Sequence, residues 1–225
     1  MPAPPRPAPR KSARKATASS PKRSPNGLGA RLRAARERAG VGLREFARRV
    51  SVSPSLVSQI ERGSVKPSVG TLYAMANELG LVLDELFKDR EPARGEQPRT
   101  PAGAPGPMQR HGLRKTIRLA SGVRWERLTA AQDKEVEFLR VTYDVGGASC
   151  GKDALMRHGG KEYAFMISGR LGVRIGFEEF ELGPGDSISF DAQSPHRLWT
   201  VGKKPAVAIW VVVNRHNDRR RRRAA

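Results

Sequence analysis

The sequence predicts a multidomain protein in which an all-α bundle is followed by an all-β domain. Apolar residues recur at helical spacing over residues 28–87, whereas residues 114–213 alternate between apolar and polar positions with a period of two. Proline, glycine and basic residues dominate both the amino-terminal end and the segment between these two regions. In chain order, the expected parts are a disordered basic arm (1–27), a helical domain (28–87), a Pro/Gly-rich linker (88–112), a β domain (113–214) and a basic tail (215–225).

The net charge of +20 is concentrated at the two ends of the chain. Residues 1–27 carry seven Lys or Arg and no acidic residue, and residues 215–225 carry six arginines and one aspartate. The ends therefore supply more than half of the net charge, and the folded body is only weakly basic. A polyanionic partner is expected. Nucleic acid is favoured because the longest apolar run, Pro205 to Val213, is far shorter than the roughly 20 residues of a membrane-spanning helix.

The amino-terminal residues and the single cysteine indicate the compartment. The first residues are basic but contain no apolar segment of the kind found in secretory signals, so we expect a cytoplasmic protein with no membrane partner. Cys150 stands alone in the sequence, which excludes an intrachain disulfide and a cysteine-cluster zinc site.

Five helices are predicted over residues 28–87, and the third of them is the most informative. Ser53 can cap this helix, and Pro54 stands at the first helical position, where its missing N–H costs nothing. Only Ser51 and Val52 separate it from the second helix, so the two helices must cross steeply and the polar side of the third faces outward. This is the arrangement of a helix-turn-helix, whose outward helix enters the major groove of DNA.

The segments LREFARRVSVSPSLVSQIERG and KPSVGTLYAMANELGLVLDELF resemble the helix-turn-helix domain of the lambda-repressor and Cro relatives, the XRE family. The resemblance covers nearly all of residues 28–87 and implies that the outward helix reads DNA. The family often has glutamine where Leu43 stands and usually has glycine where Ser51 stands. Ser51 in a left-handed conformation would cost on the order of 1 kcal/mol without breaking the fold.

The resemblance assigns the DNA contacts residue by residue. Gln59 is the expected base reader, because its amide can pair with N6 and N7 of adenine. Arg62, Lys66 and Arg44 are expected to reach phosphates. Glu61 would repel DNA if it faced outward, so we assign it to an ion pair within the domain. The expected DNA-binding residues are Arg44, Ser53, Pro54, Ser55, Ser58, Gln59, Arg62 and Lys66, with Ser53 chiefly a helix cap.

The basic arm has two interpretations. It either enters a minor groove beside the recognition helix or is a solvated tail that adds salt-sensitive affinity without reading sequence. We favour the solvated tail.

In the β region, the runs VEFLRVTYDV, YAFMISG, LGVRIG, FEEFEL, DSISFD and AVAIWVVV are separated by Gly, Pro and Asp. Closely spaced strands of this kind indicate a sandwich or a barrel. The stretch from roughly Glu137 to Val213 also resembles the two sequence motifs of the cupin jelly-roll barrel. The residues that carry this resemblance are His158, Glu162, Gly169, Gly185, Asp186 and His196.

Cupin enzymes hold one metal ion with His-x-His, a glutamate four residues later and a further histidine. The resemblance places Met156 at the first histidine position, which leaves the two-histidine, one-carboxylate set of His158, Glu162 and His196. Methionine is a poor ligand for a hard divalent ion. Three interpretations stay open: a divalent metal site for Fe, Mn or Zn, a set of hydrogen-bond partners for an organic ligand, or buried histidines without a ligand.

The domain order matches the familiar fusion of a Cro-like helix-turn-helix with a cupin, which implies a transcription regulator that binds double-stranded DNA. We expect a homodimer, because two recognition helices one turn of DNA apart add their contacts. The cupin domain is expected to sense a small-molecule effector and to help dimerise the chain.

Two alternatives remain. The first is a metal-dependent cupin enzyme, a dioxygenase or isomerase, with an accessory DNA-binding domain. The replacement of a histidine by Met156 argues against it, so no catalytic residue is assigned. The second is an architectural DNA or RNA binder driven by the basic tails, which would bind random duplexes nearly as well as any operator.

Overall fold

The computed structural model describes residues 27–87 and 106–214. The predicted tail, most of the predicted linker and, apart from Gly27, the predicted arm lie outside these described residues. None of the helices in the described ranges is long and apolar enough to cross a membrane.

Four α-helices form the amino-terminal domain. They are α1 (Leu28–Arg38), α2 (Leu43–Arg49), α3 (Pro54–Glu61) and α4 (Val69–Leu79). The predicted fifth helix is a single 3-10 turn at Leu83–Leu86. The extended backbone of Val82 and Phe87 on either side leaves room for one turn only.

Side-chain caps determine where α3 and α4 begin. Ser53 Oγ accepts the backbone N–H of Leu56 at 3.1 Å, and Ser68 Oγ accepts that of Thr71 at 3.1 Å. The predicted cap at Ser53 is therefore confirmed, and Ser68 caps α4 in the same way. In the turn between α2 and α3, Ser51 has a left-handed φ of 54°, the conformation for which the related domains use glycine.

Helix α3 packs closely against α1. Gly29 on α1 allows this, because a Cβ there would lie 2.0 Å from the carbonyl oxygen of Ile60. Arg36 on α1 also forms a buried ion pair with Glu61 at 2.6 Å. This pair confirms the intradomain partner predicted for Glu61, and it keeps the carboxylate of α3 inside the domain.

Nine strands lie in the described part of the carboxy-terminal domain. They are β1 (Thr116–Arg118), β2 (Val123–Arg127), β3 (Val136–Tyr143), β4 (Lys161–Ser168), β5 (Arg170–Ile175), β6 (Glu178–Leu182), β7 (Ser187–Asp191), β8 (His196–Val201) and β9 (Ala206–Val213). A second 3-10 turn, His111–Leu113, precedes β1. The six runs singled out in the sequence correspond to β3 to β7 and to β9, which confirms the predicted all-β character of this region.

The strands form two antiparallel sheets. The larger sheet has the order β1-β2-β3-β9-β4-β7, and the smaller has the order β6-β5-β8. Alternation along β4 buries Glu162 and Ala164 and leaves Tyr163 and Phe165 exposed. One face of the larger sheet thus contributes to the core, and it carries an acidic residue inward.

The two domains share one apolar core. The backbone N–H of Gly70, in the first turn of α4, donates to the carbonyl of Ser149 at 3.1 Å. Asp84, in the 3-10 turn, forms a buried ion pair with Arg127 on β2 at 2.7 Å. Burial raises the pKa of the Asp84 carboxyl more than the Arg127 guanidinium lowers it. The helical domain is therefore docked on the β domain through backbone, apolar and ionic contacts.

Removing Asp84 should weaken the fold markedly. Asp84→Ala leaves the Arg127 guanidinium buried with only backbone carbonyl partners, so we expect the free energy of unfolding to fall by about 3 kcal/mol. Glu37→Ala breaks the exposed Arg33–Glu37 pair at 2.8 Å and should lower the free energy of unfolding far less, because water screens this pair. Urea unfolding of the full chain measures both variants. Equal losses would contradict the role given to the buried pair.

Candidate functional site

The predicted DNA contacts lie on α3, at its two ends and at the start of α2. Ser55, Ser58, Gln59 and Arg62 are spaced by three, four and seven residues, so they share one side of α3. Of the eight predicted contacts, six are exposed, and Ser58 and Gln59 are half-buried. The structure therefore leaves the predicted recognition surface open to solvent.

The other side of α3 faces the core. Val57 and Ile60 are fully buried there, and the inward pairing of Glu61 removes the acidic group of this helix from the outer side. On the outer side, the Arg62 guanidinium donates to the Ser58 hydroxyl. Two of the predicted contacts are thus paired with each other. The outer side carries hydroxyl, amide and guanidinium groups, which are the groups that contact base edges and phosphates.

Three ligand-type side chains converge inside the β domain. His158 lies shortly before β4, Glu162 is the second residue of β4, and His196 begins β8. Their ligand atoms lie within 4.8 Å of one another, and each residue is at most 4% exposed. The structure thus brings together the three residues that the cupin resemblance selects.

Backbone carbonyls determine which nitrogen of each imidazole carries the hydrogen. Nδ1 of His158 lies 3.0 Å from the carbonyl oxygen of Gly159, and Nδ1 of His196 lies 2.8 Å from that of Ser194. A carbonyl can only accept, so each Nδ1 carries a hydrogen and Nε2 of the neutral ring presents a lone pair. Burial lowers the pKa of the His196 imidazole, against the opposing effect of the Glu162 carboxylate, and favours this neutral ring.

These lone pairs face the Glu162 carboxylate without a hydrogen bond. Oε1 of Glu162 lies 2.7 Å from Nε2 of His158 and 3.8 Å from Nε2 of His196. Although the first distance is short, neither Nε2 makes a hydrogen bond of acceptable geometry with any residue that the structure describes. Buried lone pairs that face a carboxylate oxygen repel it unless a positive charge, from a proton or a metal ion, lies between them.

The second carboxylate oxygen of Glu162 is held separately. Oε2 accepts a hydrogen bond from the indole Nε1 of Trp210 at 2.9 Å. Burial raises the pKa of the Glu162 carboxyl, but the facing imidazoles of His158 and His196 and the hydrogen bond from Trp210 together outweigh burial and lower this pKa. The surroundings of Glu162 therefore favour its carboxylate form.

The donor set fits a divalent metal ion. Bonds of about 2.0–2.2 Å place the ligand atoms of one ion roughly 3–3.5 Å apart. Oε1 of Glu162 lies 2.7 and 3.8 Å from the two Nε2 atoms, and all three atoms lie within 4.8 Å of one another, so the side chains must draw together slightly around an ion. Two imidazoles and one carboxylate suit Fe, Mn or Zn with further positions left open. Met156 is buried beside them, and its backbone pairs with that of His196 at 2.8 and 2.9 Å.

A small cavity adjoins this centre on the side of Glu162, and neither histidine lines it. Its volume is about 10 Å³, which is close to the space that one water molecule requires. Aromatic side chains form much of its wall, namely Tyr73, Trp125, Tyr143 and Trp210. One water molecule beside an ion fits this space, whereas an organic ligand requires the wall to move.

Two residues of the centre are absent from the sequence prediction. Trp210 holds Glu162, and a tryptophan within an apolar strand is a signal for such a role, since a buried indole N–H requires an acceptor. Tyr73 of α4 stacks on the His158 imidazole, with ring centroids 4.0 Å apart and 17° between the planes. Tyr73 belongs to the other domain, and no motif in the sequence links it to His158.

Comparison with known proteins identifies the same two parts of the chain. Residues 27–87 match the helix-turn-helix domain family, and residues 139–212 match the cupin domain family. The HTH-type transcriptional regulator PuuR of Escherichia coli (strain K12) is 23% identical over 168 residues, which are 75% of this chain and 84% of that protein.

One solved structure has a similar fold over most of the chain. The crystal structure of an HTH_3 family transcriptional regulator from Vibrio cholerae has a TM-score of 0.58 and 21% identity, and the match covers 84% of this chain and 95% of that chain. Hydroxypropylphosphonic acid epoxidase from S. wedmorenis has a TM-score of 0.40 and 20% identity over 85% of this chain and 99% of that chain, a likeness too low to support an inference. The chain therefore contains a helix-turn-helix domain and a carboxy-terminal cupin domain, and it is similar to HTH-type transcriptional regulators.

Proposed function

We propose that the chain is a homodimeric transcription regulator that binds specific DNA sequences and senses a divalent metal ion in its cupin domain. Similarity to HTH-type transcriptional regulators supports the DNA-binding part, together with the capped helix α3 and its exposed polar side. One observation carries the sensing part. The buried Nε2 atoms of His158 and His196 face the Glu162 carboxylate without hydrogen bonds.

DNA recognition is assigned to α3 and the residues around it. Gln59 reads a base edge, and Arg44, Arg62 and Lys66 bind phosphates. All three basic residues are exposed. The basic arm and tail add sequence-independent, salt-sensitive affinity to this specific contact.

Variants of α3 and its surroundings test this assignment. We expect selection from random duplexes to return one preferred sequence, and Gln59→Ala to weaken binding to it by about 10- to 100-fold and to relax the preference at one base. Lys66→Ala should instead weaken binding to all duplexes equally and reduce the salt dependence. Lys204→Ala, which removes an exposed lysine of the cupin domain, is the matched control. A selection that returns no preferred sequence would favour the architectural binder.

Dimerisation is assigned to the outer face of the larger sheet. Phe138 on β3 and Tyr163, Phe165 and Ile167 on β4 are between 36% and 50% exposed, an unusual concentration of large apolar side chains on one sheet face. A groove of about 360 Å³ runs along the same face. A second copy of the chain is the occupant that we propose, because a regulator with one recognition helix per chain needs a second helix to bury sufficient DNA surface.

A charge placed on this face should separate the protomers. Phe165→Glu puts a carboxylate at the centre of the proposed interface, and we expect a monomer by light scattering at concentrations where the unaltered chain is a dimer. Phe177→Glu changes a phenylalanine that is 98% exposed between β5 and β6 of the smaller sheet, and the dimer should persist. A dimer that tolerates Phe165→Glu and not Phe177→Glu would place the interface elsewhere.

The sensed ligand is assigned to the centre formed by His158, Glu162 and His196. A bound divalent ion supplies the positive charge that the facing lone pairs and carboxylate lack. The cavity of about 10 Å³ supports an ion over an organic effector. Trp210 orients the carboxylate through Oε2 and leaves Oε1 free to face the ion.

Zinc titration of protein prepared without a histidine tag tests this centre. We expect one Zn²⁺ per chain by calorimetry, and Glu162→Gln should weaken binding by more than about 100-fold, because it removes an anionic ligand and keeps the shape of the side chain. His111→Ala removes an exposed histidine outside the centre and is the control. A metal content well below one per chain in the unaltered protein would contradict the proposal.

A metal-dependent enzyme is the second candidate. The two-histidine, one-carboxylate set favours it, since such a set leaves coordination positions open for a substrate. The small cavity opposes it, because a substrate needs space beside the ion that about 10 Å³ does not provide. A crystal structure in which zinc is bound and the cavity is wider would favour the enzyme hypothesis over the sensor hypothesis.

A further inference from the structure

We infer that helix α4 of the helix-turn-helix domain forms part of the metal centre, with Tyr73 as a positioning residue for His158, so that ion binding and DNA binding are coupled. This inference rests on the proposed ion site and concerns its regulation. The contacts that support it belong to two groups, one at Tyr73 and one at the amino-terminal end of α4.

Tyr73 is fixed between the two domains. Its ring stacks on the His158 imidazole at a centroid distance of 4.0 Å, and it contacts the Trp125 ring at 5.5 Å. Its hydroxyl donates to Oε2 of Glu137 at 3.3 Å. The residue is 4% exposed. Because the two planes are nearly parallel, the His158 ring cannot tilt unless Tyr73, and with it α4, also moves.

The amino-terminal end of α4 contacts the segment that pairs with the second histidine. A Cβ on Gly70 would lie 3.3 Å from Cβ of Met156 and 3.6 Å from Cβ of Cys150, so the helix backbone lies directly against these side chains. Met156 in turn pairs through its backbone with His196 in both directions. Helix α4 thus packs on the immediate surroundings of both histidines.

Helix α4 and the recognition helix α3 share one core, in which both helices pack against α1. Val57 and Ile60 of α3 and Leu72 and Met75 of α4 are at most 1% exposed in the same core. The segment that follows α3 turns back against the end of the helix, because the backbone carbonyl of Gln59 accepts hydrogen bonds from two backbone N–H groups of this segment at 2.9 and 3.3 Å. A change in how α4 sits on the cupin domain therefore moves α3 as well.

An ion drawn to Nε2 fixes the His158 ring, and that ring fixes the packing of Tyr73. The ion-bound state then holds the helix-turn-helix domain in one orientation relative to the cupin domain. In a dimer, this orientation sets the spacing between the two recognition helices and hence the fit to two half-sites. Ion and DNA affinities must consequently affect each other by the same factor.

Reciprocal titrations of the full chain test the coupling. We expect Zn²⁺ to change the dissociation constant for the selected duplex by at least about fivefold, and the duplex to change that for Zn²⁺ by the same factor. Tyr73→Leu should bring both factors close to one, while Zn²⁺ and the duplex each still bind. Tyr73→Phe keeps the stacked ring without the hydroxyl and should retain the coupling.

If the Tyr73→Leu chain does not fold, a second variant and a second measurement still test the coupling. Gly70→Leu inserts a side chain between α4 and Met156 and should also abolish the coupling. Hydrogen exchange in α4 should slow when Zn²⁺ binds to the unaltered chain and should not change in this variant.

The outcomes separate the coupling from the ion site. Equal coupling in the unaltered chain and in Tyr73→Leu overturns the role of Tyr73 and leaves the proposed function in place. Independent binding of Zn²⁺ and duplex, each at normal affinity, overturns the coupling alone. Absence of any Zn²⁺ binding in calorimetry overturns the ion site and the coupling together.

Discussion

The facing lone pairs of His158 and His196 beside a buried carboxylate constrain the rest of the molecule. Each imidazole holds Nδ1 against a backbone carbonyl, so Nε2 of the neutral ring has no hydrogen to donate to Glu162, whose Oε1 lies 2.7 and 3.8 Å away. Such an arrangement is costly in a protein interior unless a cation completes it. The inward alternation of β4, the indole of Trp210 and the packing of α4 all serve to hold these three groups together.

Charge and recognition are separated along the chain. Most of the positive charge lies at the two ends, whereas the surface that reads DNA depends on the few polar groups of α3. The fold protects that surface by turning the one acidic residue of the helix, Glu61, inward to Arg36 at 2.6 Å. Overall basicity therefore accounts for attraction to a polyanion, and the geometry of α3 accounts for selection among sequences.

Local rules predicted much of the fold and part of the candidate site. The cap at Ser53 and the alternation along β4 follow from neighbouring residues, and the ligand set follows from the resemblance to the cupin motifs. The predicted fifth helix was wrong in type, because its four residues lie between extended neighbours and form a 3-10 turn. The stacking of Tyr73 on His158 depends on how two domains dock. Such docking is set by long-range packing, which periodicity does not encode.

The most direct measurement is anomalous diffraction at the zinc edge from crystals of the full chain grown with Zn²⁺. The account predicts one strong peak among Nε2 of His158, Nε2 of His196 and Oε1 of Glu162, at about 2.0–2.2 Å from each, with Tyr73 still stacked on the His158 ring. A structure in which these three side chains are ordered and zinc is absent from between them would contradict it.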